Sequence, residues 1–339
     1  MKKLLLLLAL AFAVTSHAQL SFSNRHAGPP GEFEKGAKER FKASTTVFVV
    51  PRPYTKEQFE SILKDNWTAS KYEVVAPADF NLKNYLTEAY SFAWLRTDII
   101  MDNNIFYPKF YFDVFMLKNE KVSKKIDKAA NDTDKFFDLI DDNKINFAQI
   151  PLQISNHDFL EVRSKLNPTV RLVFSGVSEE RKKDAFNYIF DNKAINNYEL
   201  GYLKNDFQRL NKLINDGKVY WMYGNDKKPE IKNLKKTTLF IPDYVYTRIK
   251  PMTGAEEVLD EKEKKALLLP YKSKYEVVSQ EAISQKILAG EDFYYLRYAR
   301  VIASKFVEVV NGKTGEIIYR SYVGFAAYNL KDKDFENLK

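Results

Sequence analysis

The hexapeptide Ser70-Lys71-Tyr72-Glu73-Val74-Val75 occurs a second time, unchanged, as Ser273-Lys274-Tyr275-Glu276-Val277-Val278. Two further matches flank it in the same order. Upstream, Thr45-Thr46-Val47-Phe48-Val49-Val50-Pro51 is answered by Thr237-Thr238-Leu239-Phe240-Ile241-Pro242; downstream, Phe92-Ala93-Trp94-Leu95-Arg96 is answered by Phe293-Tyr294-Tyr295-Leu296-Arg297. The order holds while the spacing varies, as two copies of one folded unit with different loop lengths require. This constrains architecture, and it leaves activity open.

Each segment of the first copy has a physical reading. Thr46 to Val50 is a β-branched and aromatic run stopped by Pro51 and Pro53, the pattern of a buried strand. Thr55 stands three residues before Gln58, a capping-box spacing, and Phe59, Ile62 and Leu63 share one helical face. A strand over Lys71–Val75, a short helix around Leu82–Leu86, and strands near Phe92–Ile100 and Phe110–Leu117 complete a βαβαββ order. The expected fold class is α+β: two divergent copies of a βαβαββ sandwich unit separated by a helix-rich mixed insert.

The expected boundaries are a signal peptide over 1–18, a flexible leader over 19–43, the first copy over 44–119, the insert over 120–235, the second copy over 236–330 and a tail over 331–339. In the second copy Glu256–Leu269 reads as a longer helix. Phe306–Val310 and Glu316–Tyr322 read as a hairpin turning at Asn311-Gly312. In the insert, Val122–Ile140 has helical spacing, Val170–Phe174 reads as a short strand, and Glu179–Phe190 as an amphipathic helix. Leu203, Phe207, Leu210 and Ile214 form a further apolar stripe, ended by Gly217 where a left-handed cap is expected.

Met1-Lys2-Lys3, the apolar run Leu4–Val14 and Ser16-His17-Ala18 have the layout of a secretory signal, with cleavage expected before Gln19. Later segments fall short of the roughly 20 apolar residues of a membrane helix, so the mature chain is expected to be soluble and periplasmic or secreted. Loss of Lys2 and Lys3 would lower the formal net charge of +8 by two, a mild basic excess that reads as a solvated surface. The chain has no cysteine, which excludes disulfides, thiol catalysis, thiolate metal sites and a lipid-modified cysteine. Its 25 Phe and 21 Tyr suffice for a core that needs no disulfide.

The runs Gly201-Tyr202-Leu203-Lys204, Gly217-Lys218-Val219-Tyr220-Trp221, Lys236-Thr237-Thr238-Leu239-Phe240-Ile241-Pro242-Asp243-Tyr244 and Glu291-Asp292-Phe293-Tyr294-Tyr295-Leu296 carry a resemblance. Over most of residues 45 to 330 the chain resembles a family of exported Bacteroidetes proteins of unknown function. Its βαβαββ order is also similar, in topology alone, to the amino-terminal domain of TolB and to CsgG-like domains. Fold likeness implies no activity.

Patterns that could carry chemistry each meet a structural explanation. His157-Asp158 lacks an activated serine in a Gly-x-Ser-x-Gly setting, and His26 lies in the leader. Two histidines in the mature chain are too few for a zinc site, and Asp141-Asp142-Asn143 lacks EF-hand spacing and reads as a helix end. Gly312-Lys313-Thr314 lacks the earlier glycine of a phosphate loop, since Val307 stands there. Val219–Tyr223 alternates as a strand would, although Tyr220, Trp221 and Tyr223 could stack on sugars. The lysine clusters at 118–128 and 227–236 are interspersed with acids, so nucleic acid is not expected as a partner.

Arg96 and Arg297 are the nearest approach to a repeated polar signature. The expectation for both is an ion pair or cap at a strand end, or alternatively a shared groove that grips carboxylates or phosphates. With Trp221 they are the candidate binding residues; no catalytic, cofactor or metal residue is assigned. The sequence therefore points to a non-catalytic exported module that binds a protein partner or cell-envelope component. A glycan-directed hydrolase using paired carboxylates is the alternative. A binding module would present an open sheet edge or apolar patch, and an enzyme a pocket with converging carboxylates.

Overall fold

The computed structural model describes residues 20–25, 30–102, 105–129, 133–155, 158–166, 177–250, 256–301, 304–324 and 329–338. The signal segment, His26, His157 and the expected strand over 170–174 lie outside the described residues.

The chain begins with β1 (Ser21–Phe22) and α1 (Ala37–Ala43), then β2 (Thr45–Val49), α2 (Lys56–Leu63), β3 (Lys71–Val75), β4 (Tyr90–Asp102) and β5 (Ile105–Leu117). The Thr55 capping box forms as its spacing requires: Gln58 N–H donates to Thr55 Oγ1 at 3.3 Å, and Thr55 N–H donates to Gln58 Oε1 at 3.0 Å. Next come α3 (Asn119–Ser123), α4 (Ile126–Ala129), α5 (Thr133–Asn143), β6 (Lys144–Ile154), α6 (Phe159–Leu166), α7 (Glu179–Asp191), β7 (Ile195–Asn196) and α8 (Leu200–Asp216). The remainder is β8 (Asp226–Lys227), β9 (Leu239–Pro242), β10 (Thr247–Ile249), β11 (Glu256–Val258), α9 (Glu261–Leu268), β12 (Tyr275–Val278), α10 (Gln280–Leu288), β13 (Tyr294–Val301), β14 (Ser304–Asn311), β15 (Ile317–Val323) and α11 (Asp332–Glu336).

Two mixed sheets result, as the α+β reading anticipates. The first has the order β1-β6-β5-β4-β2-β3, with β7 also pairing β6; the second has the order β12-β9-β13-β14-β15-β8. In each, one strand lies between two parallel neighbours, β2 between β3 and β4, β9 between β12 and β13, and an antiparallel meander follows. The fifth strand of the first sheet, β6, comes from within residues 120–235, where Pro151 and polar side chains obscure the strand pattern.

The registers show which residues stand in the same place. Thr46 faces Tyr72 and Ser91, and Leu239 faces Tyr275 and Tyr294. Phe92 therefore corresponds in position to Tyr295, and Trp94, opposite Asp113, corresponds to Arg297, opposite Glu308. The Phe-x-x-Leu-Arg match in the sequence sits two residues away from this structural equivalence. A two-residue offset keeps every side chain on the same face of the sheet, so the apolar pattern survives it.

The sheets stack with helices between them. One face of the first sheet packs Phe48, Phe110 and Phe112 against Phe59 of α2, Ile189 of α7 and Phe207 and Leu210 of α8. Its other face, with Phe92, Trp94 and Phe115, is covered by Val122, Ile126 and Ile140 from α3, α4 and α5. The second sheet presents Tyr295, Val310 and Ile317 to Tyr202 of α8 and Ile283 and Ile287 of α10, while Ile241, Leu296 and Val309 meet Leu267, Leu268 and Phe335 on its far side. Helix α8 is thus the shared middle layer. Gly201 permits this: a Cβ there would lie 2.4 Å from the carbonyl oxygen of Ser284 on α10.

Four local expectations need amendment. Within the stretch expected to be a flexible leader, Leu20, Phe22 and Phe41 are buried among core residues, and Ser21–Phe22 pairs with β6. The expected helix over 256–269 opens as strand β11, paired with β10, and becomes helical only after Asp260 caps α9. Val219–Tyr223 is no strand; it holds a single bridge, Tyr220 to Phe22, followed by a turn. In the β14–β15 connection the positive φ of +68° belongs to Gly315, and Asn311 Oδ1 accepts from the N–H groups of Lys313 and Thr314, so the loop is longer than an Asn-Gly turn. Gly217 does end α8 with a left-handed φ of 67°.

Candidate functional site

Among the described residues the buried ionisable groups include two clusters, one in each sheet, besides the separate Lys305–Asp334 pair at 2.5 Å. In the second sheet Glu308 is fully buried on β14 and takes Arg297 Nε at 2.9 Å on one carboxylate oxygen and Arg320 Nε at 2.7 Å on the other. Arg297 Nη1 also donates to Asp206 Oδ1 of α8 at 2.5 Å. Burial pushes the Glu308 carboxyl up, but the two guanidiniums outweigh burial and hold it below its ordinary value. For Asp206 burial wins and lifts it above the usual carboxylate range, with Arg297 only partly compensating. Nearby, Arg209 of α8 bonds Glu316 at 2.7 Å, and the guanidiniums of Arg209 and Arg320 lie over the Tyr220 ring, 4.5 Å and 4.7 Å from its centroid.

In the first sheet Arg96 makes a bidentate pair with Asp141 of α5, both contacts at 2.6 Å, and packs over the Phe137 ring. Lys144 bridges Asp141 at 2.8 Å and the buried Asp113 at 2.6 Å. Burial works against the charge of Asp141, yet bonds from Arg96 and Lys144 hold its carboxyl low. Asn143 closes α5 by donating to the Leu139 carbonyl at 2.8 Å, so Asp141-Asp142-Asn143 ends a helix.

Arg96 and Arg297 therefore do the same kind of job in separate places. Each ties its strand to an acid of the helix covering that face, Asp141 or Asp206, and the first sheet lies between them. Trp221 is half-buried in the turn after Tyr220, its ring 5.0 Å from that of Tyr223 and its carbonyl accepting from Arg320. Asp158 accepts from Ser155 Oγ at 2.5 Å and from Tyr188 OH at 2.8 Å. Among the described residues no cluster of three His or acidic side chains gathers to hold a metal ion, and no helix is long and apolar enough to cross a membrane.

A cleft of about 330 Å³ opens where α2, α7, α8 and α10 meet, walled by Tyr54, Phe190, Tyr198 and Leu288. Tyr54 OH donates to the Tyr198 carbonyl at 2.6 Å, and Tyr198 OH donates to the Arg52 carbonyl. Glu199 is the carboxylate among the lining residues, and Lys193 the cation.

The sheet edges are the second exposed feature. One margin of each sheet is covered by short strands, β1 and β7 on β6, and β8 on β15. At the other margin stand β3 and β12, the two occurrences of the repeated hexapeptide, with nothing among the described residues paired to their far sides. Val50 N–H donates to the Val75 carbonyl and Leu239 N–H to the Lys274 carbonyl. Alternation along the strand then turns the backbone groups of Tyr72 and Val74, and of Tyr275 and Val277, outward. The two edges differ in dress. Glu73 is half-buried, and burial together with this nearby carboxylate pushes the Tyr85 hydroxyl up to about 12. Lys274, Tyr275 and Glu276 are all exposed, Tyr275 at 43%, and neither charged residue pairs with a described side chain.

Sequence reasoning located both strands but placed no binding role on them. The signal was available in part: an alternating Lys-x-Glu strand with a tyrosine between its charges is polar on one face, as edges often are. For the second-sheet cluster an unread signal was available in Glu308, a charge inside the apolar run Phe306–Val310. No protein family, curated protein or solved structure matches this chain.

Proposed function

We propose that the chain is an exported, non-catalytic module that binds a protein partner or cell-envelope component by adding an extended segment of it to an open sheet edge. The observation that carries this reading is the margin at β3 and β12, unpaired among the described residues, where alternate backbone donors and acceptors of both strands turn away from the sheet. Such an edge is a template for a further strand, whose backbone supplies affinity while alternate side chains supply selectivity. The signal-like residues 1–18 support export, and Arg96 and Arg297 support the reading indirectly by fixing each sheet to its covering helix.

The test is recovery of partners from the native envelope by the tagged chain and by the double variant Tyr72→Pro/Tyr275→Pro. Each proline removes one outward N–H, at edge positions where proline is tolerated. A partner that accompanies the unaltered chain and is lost from the proline variant supports the reading. Equal recovery by both, or no partner at all, contradicts it.

The alternative reading, a glycan-directed hydrolase using paired carboxylates, has less support, because the cleft sets its aromatic walls beside one carboxylate, Glu199, where that chemistry takes two. Release of a chromophore from aryl glycosides, abolished in Glu199→Gln, would support it; activity unchanged in that variant, or none, would count against it.

A further inference from the structure

We infer that β12 pairs with β12 of a second copy of this chain, in an antiparallel two-fold arrangement centred on Tyr275. The inference rests on the edge-binding reading above and names the occupant of one edge. Three observations carry it. Backbone parity comes first: Tyr275 and Val277 direct their N–H and C=O groups away from β9. An antiparallel partner centred on Tyr275 sets Tyr275 against its own counterpart and Val277 against Ser273, so outward groups meet outward groups. A centre on Glu276 fails, because that residue's backbone faces β9.

Charge is the second observation. The same register places Lys274 opposite Glu276 of the other copy, and Glu276 opposite its Lys274, two symmetric pairs from side chains that are exposed and without ion-pair partners among the described residues. Centring on Val277 would instead set Lys274 opposite Gln280 and lose both pairs. Isologous contacts of this kind close on themselves as a dimer. Third, of the four large apolar side chains that are substantially exposed among the described residues, Val258, Leu269 and Tyr275 lie on β12 or flank α9, the crossover helix that leads into it. Leu269 is 67% exposed and Val258 66%.

Strand β3 has the same hexapeptide and serves as the internal control. Its Glu73 is half-buried where Glu276 is exposed, so the equivalent charge pairing is less accessible there.

Sedimentation equilibrium of the full chain from about 1 to about 500 µM tests the inference, since the dimer fraction follows mass action. The unaltered chain is expected to show a reversible monomer–dimer equilibrium that weakens with salt. Lys274→Glu should weaken it about tenfold, the exchange Lys274→Glu/Glu276→Lys should recover it, and Lys71→Glu should leave it unchanged. Tyr275→Pro should abolish it while circular dichroism reports the native fold. A chain that stays monomeric throughout overturns self-pairing alone, because the envelope-recovery assay still decides whether a foreign strand uses the edge. A dimer indifferent to both Lys274→Glu and Tyr275→Pro overturns it as well, by placing the contact elsewhere.

Discussion

Asp113 and Glu308 occupy the same position in their respective sheets: each is the fully buried acid on the strand that opens the antiparallel meander's middle, opposite Trp94 in one case and Arg297 in the other. They are neutralised differently. The Lys144 ammonium meets Asp113, and the guanidiniums of Arg297 and Arg320 meet Glu308. Through Arg297 the Glu308 cluster reaches Asp206 on α8, the helix that the two sheets share.

Replacing Glu308 with glutamine keeps the shape and removes the charge on which Arg297 and Arg320 converge. Leaving buried cations uncompensated is costly, so Glu308→Gln should destabilise the fold by about 3–5 kcal/mol. Asp113→Asn should cost less, because Lys144 keeps its contact with Asp141. Urea unfolding of the two variants provides the comparison.

The acid-side stability follows from two opposed shifts. The carboxyl of Glu308 is depressed in the folded state, so its contribution is present above its ordinary value of 4.5 and is lost as pH falls below that. Asp206 is raised in the folded state, so protonation below its elevated value relieves a penalty and offsets part of that loss. Midpoints of thermal unfolding between about pH 6 and pH 3 should fall, and in Asp206→Asn they should fall more steeply over the same interval.

Contact between α8 and α10 depends on the missing side chain at position 201. Gly201→Ala would bring a Cβ to 2.4 Å from the Ser284 carbonyl, and one of the two helices must move. A loss of about 1–3 kcal/mol is expected, read from chemical unfolding. Gly217→Ala, which places alanine at a φ of 67°, should cost about 1 kcal/mol through strain at the α8 cap instead.

Much of the fold was legible in the sequence because strand and helix periods are local signals. The strand over 71–75, the Thr55 cap and the Gly217 terminator follow from neighbouring residues alone. The opposite stripe of α8 shows where such reading stops. Leu203, Phe207 and Leu210 announce one buried face, yet Tyr202, Asn205, Asp206 and Arg209 are buried too, against the second sheet. A polar stripe is ordinarily solvated; here Glu316, Arg297 and Tyr295, distant in sequence, provide its partners. The edge position of β12 was equally illegible, since strand order in a sheet depends on pairings that no single segment encodes.

Amide hydrogen exchange across residues 273–278, followed at low and at high protein concentration, bears most directly on the open edge as a binding surface. Glu276 N–H belongs to the β9 ladder and should be protected at every concentration. The outward amides of Tyr275 and Val277 should exchange freely in dilute solution and become protected as concentration rises. Protection of Tyr275 and Val277 that is already complete in dilute solution, or that never appears, would contradict the pairing of β12 with a second chain.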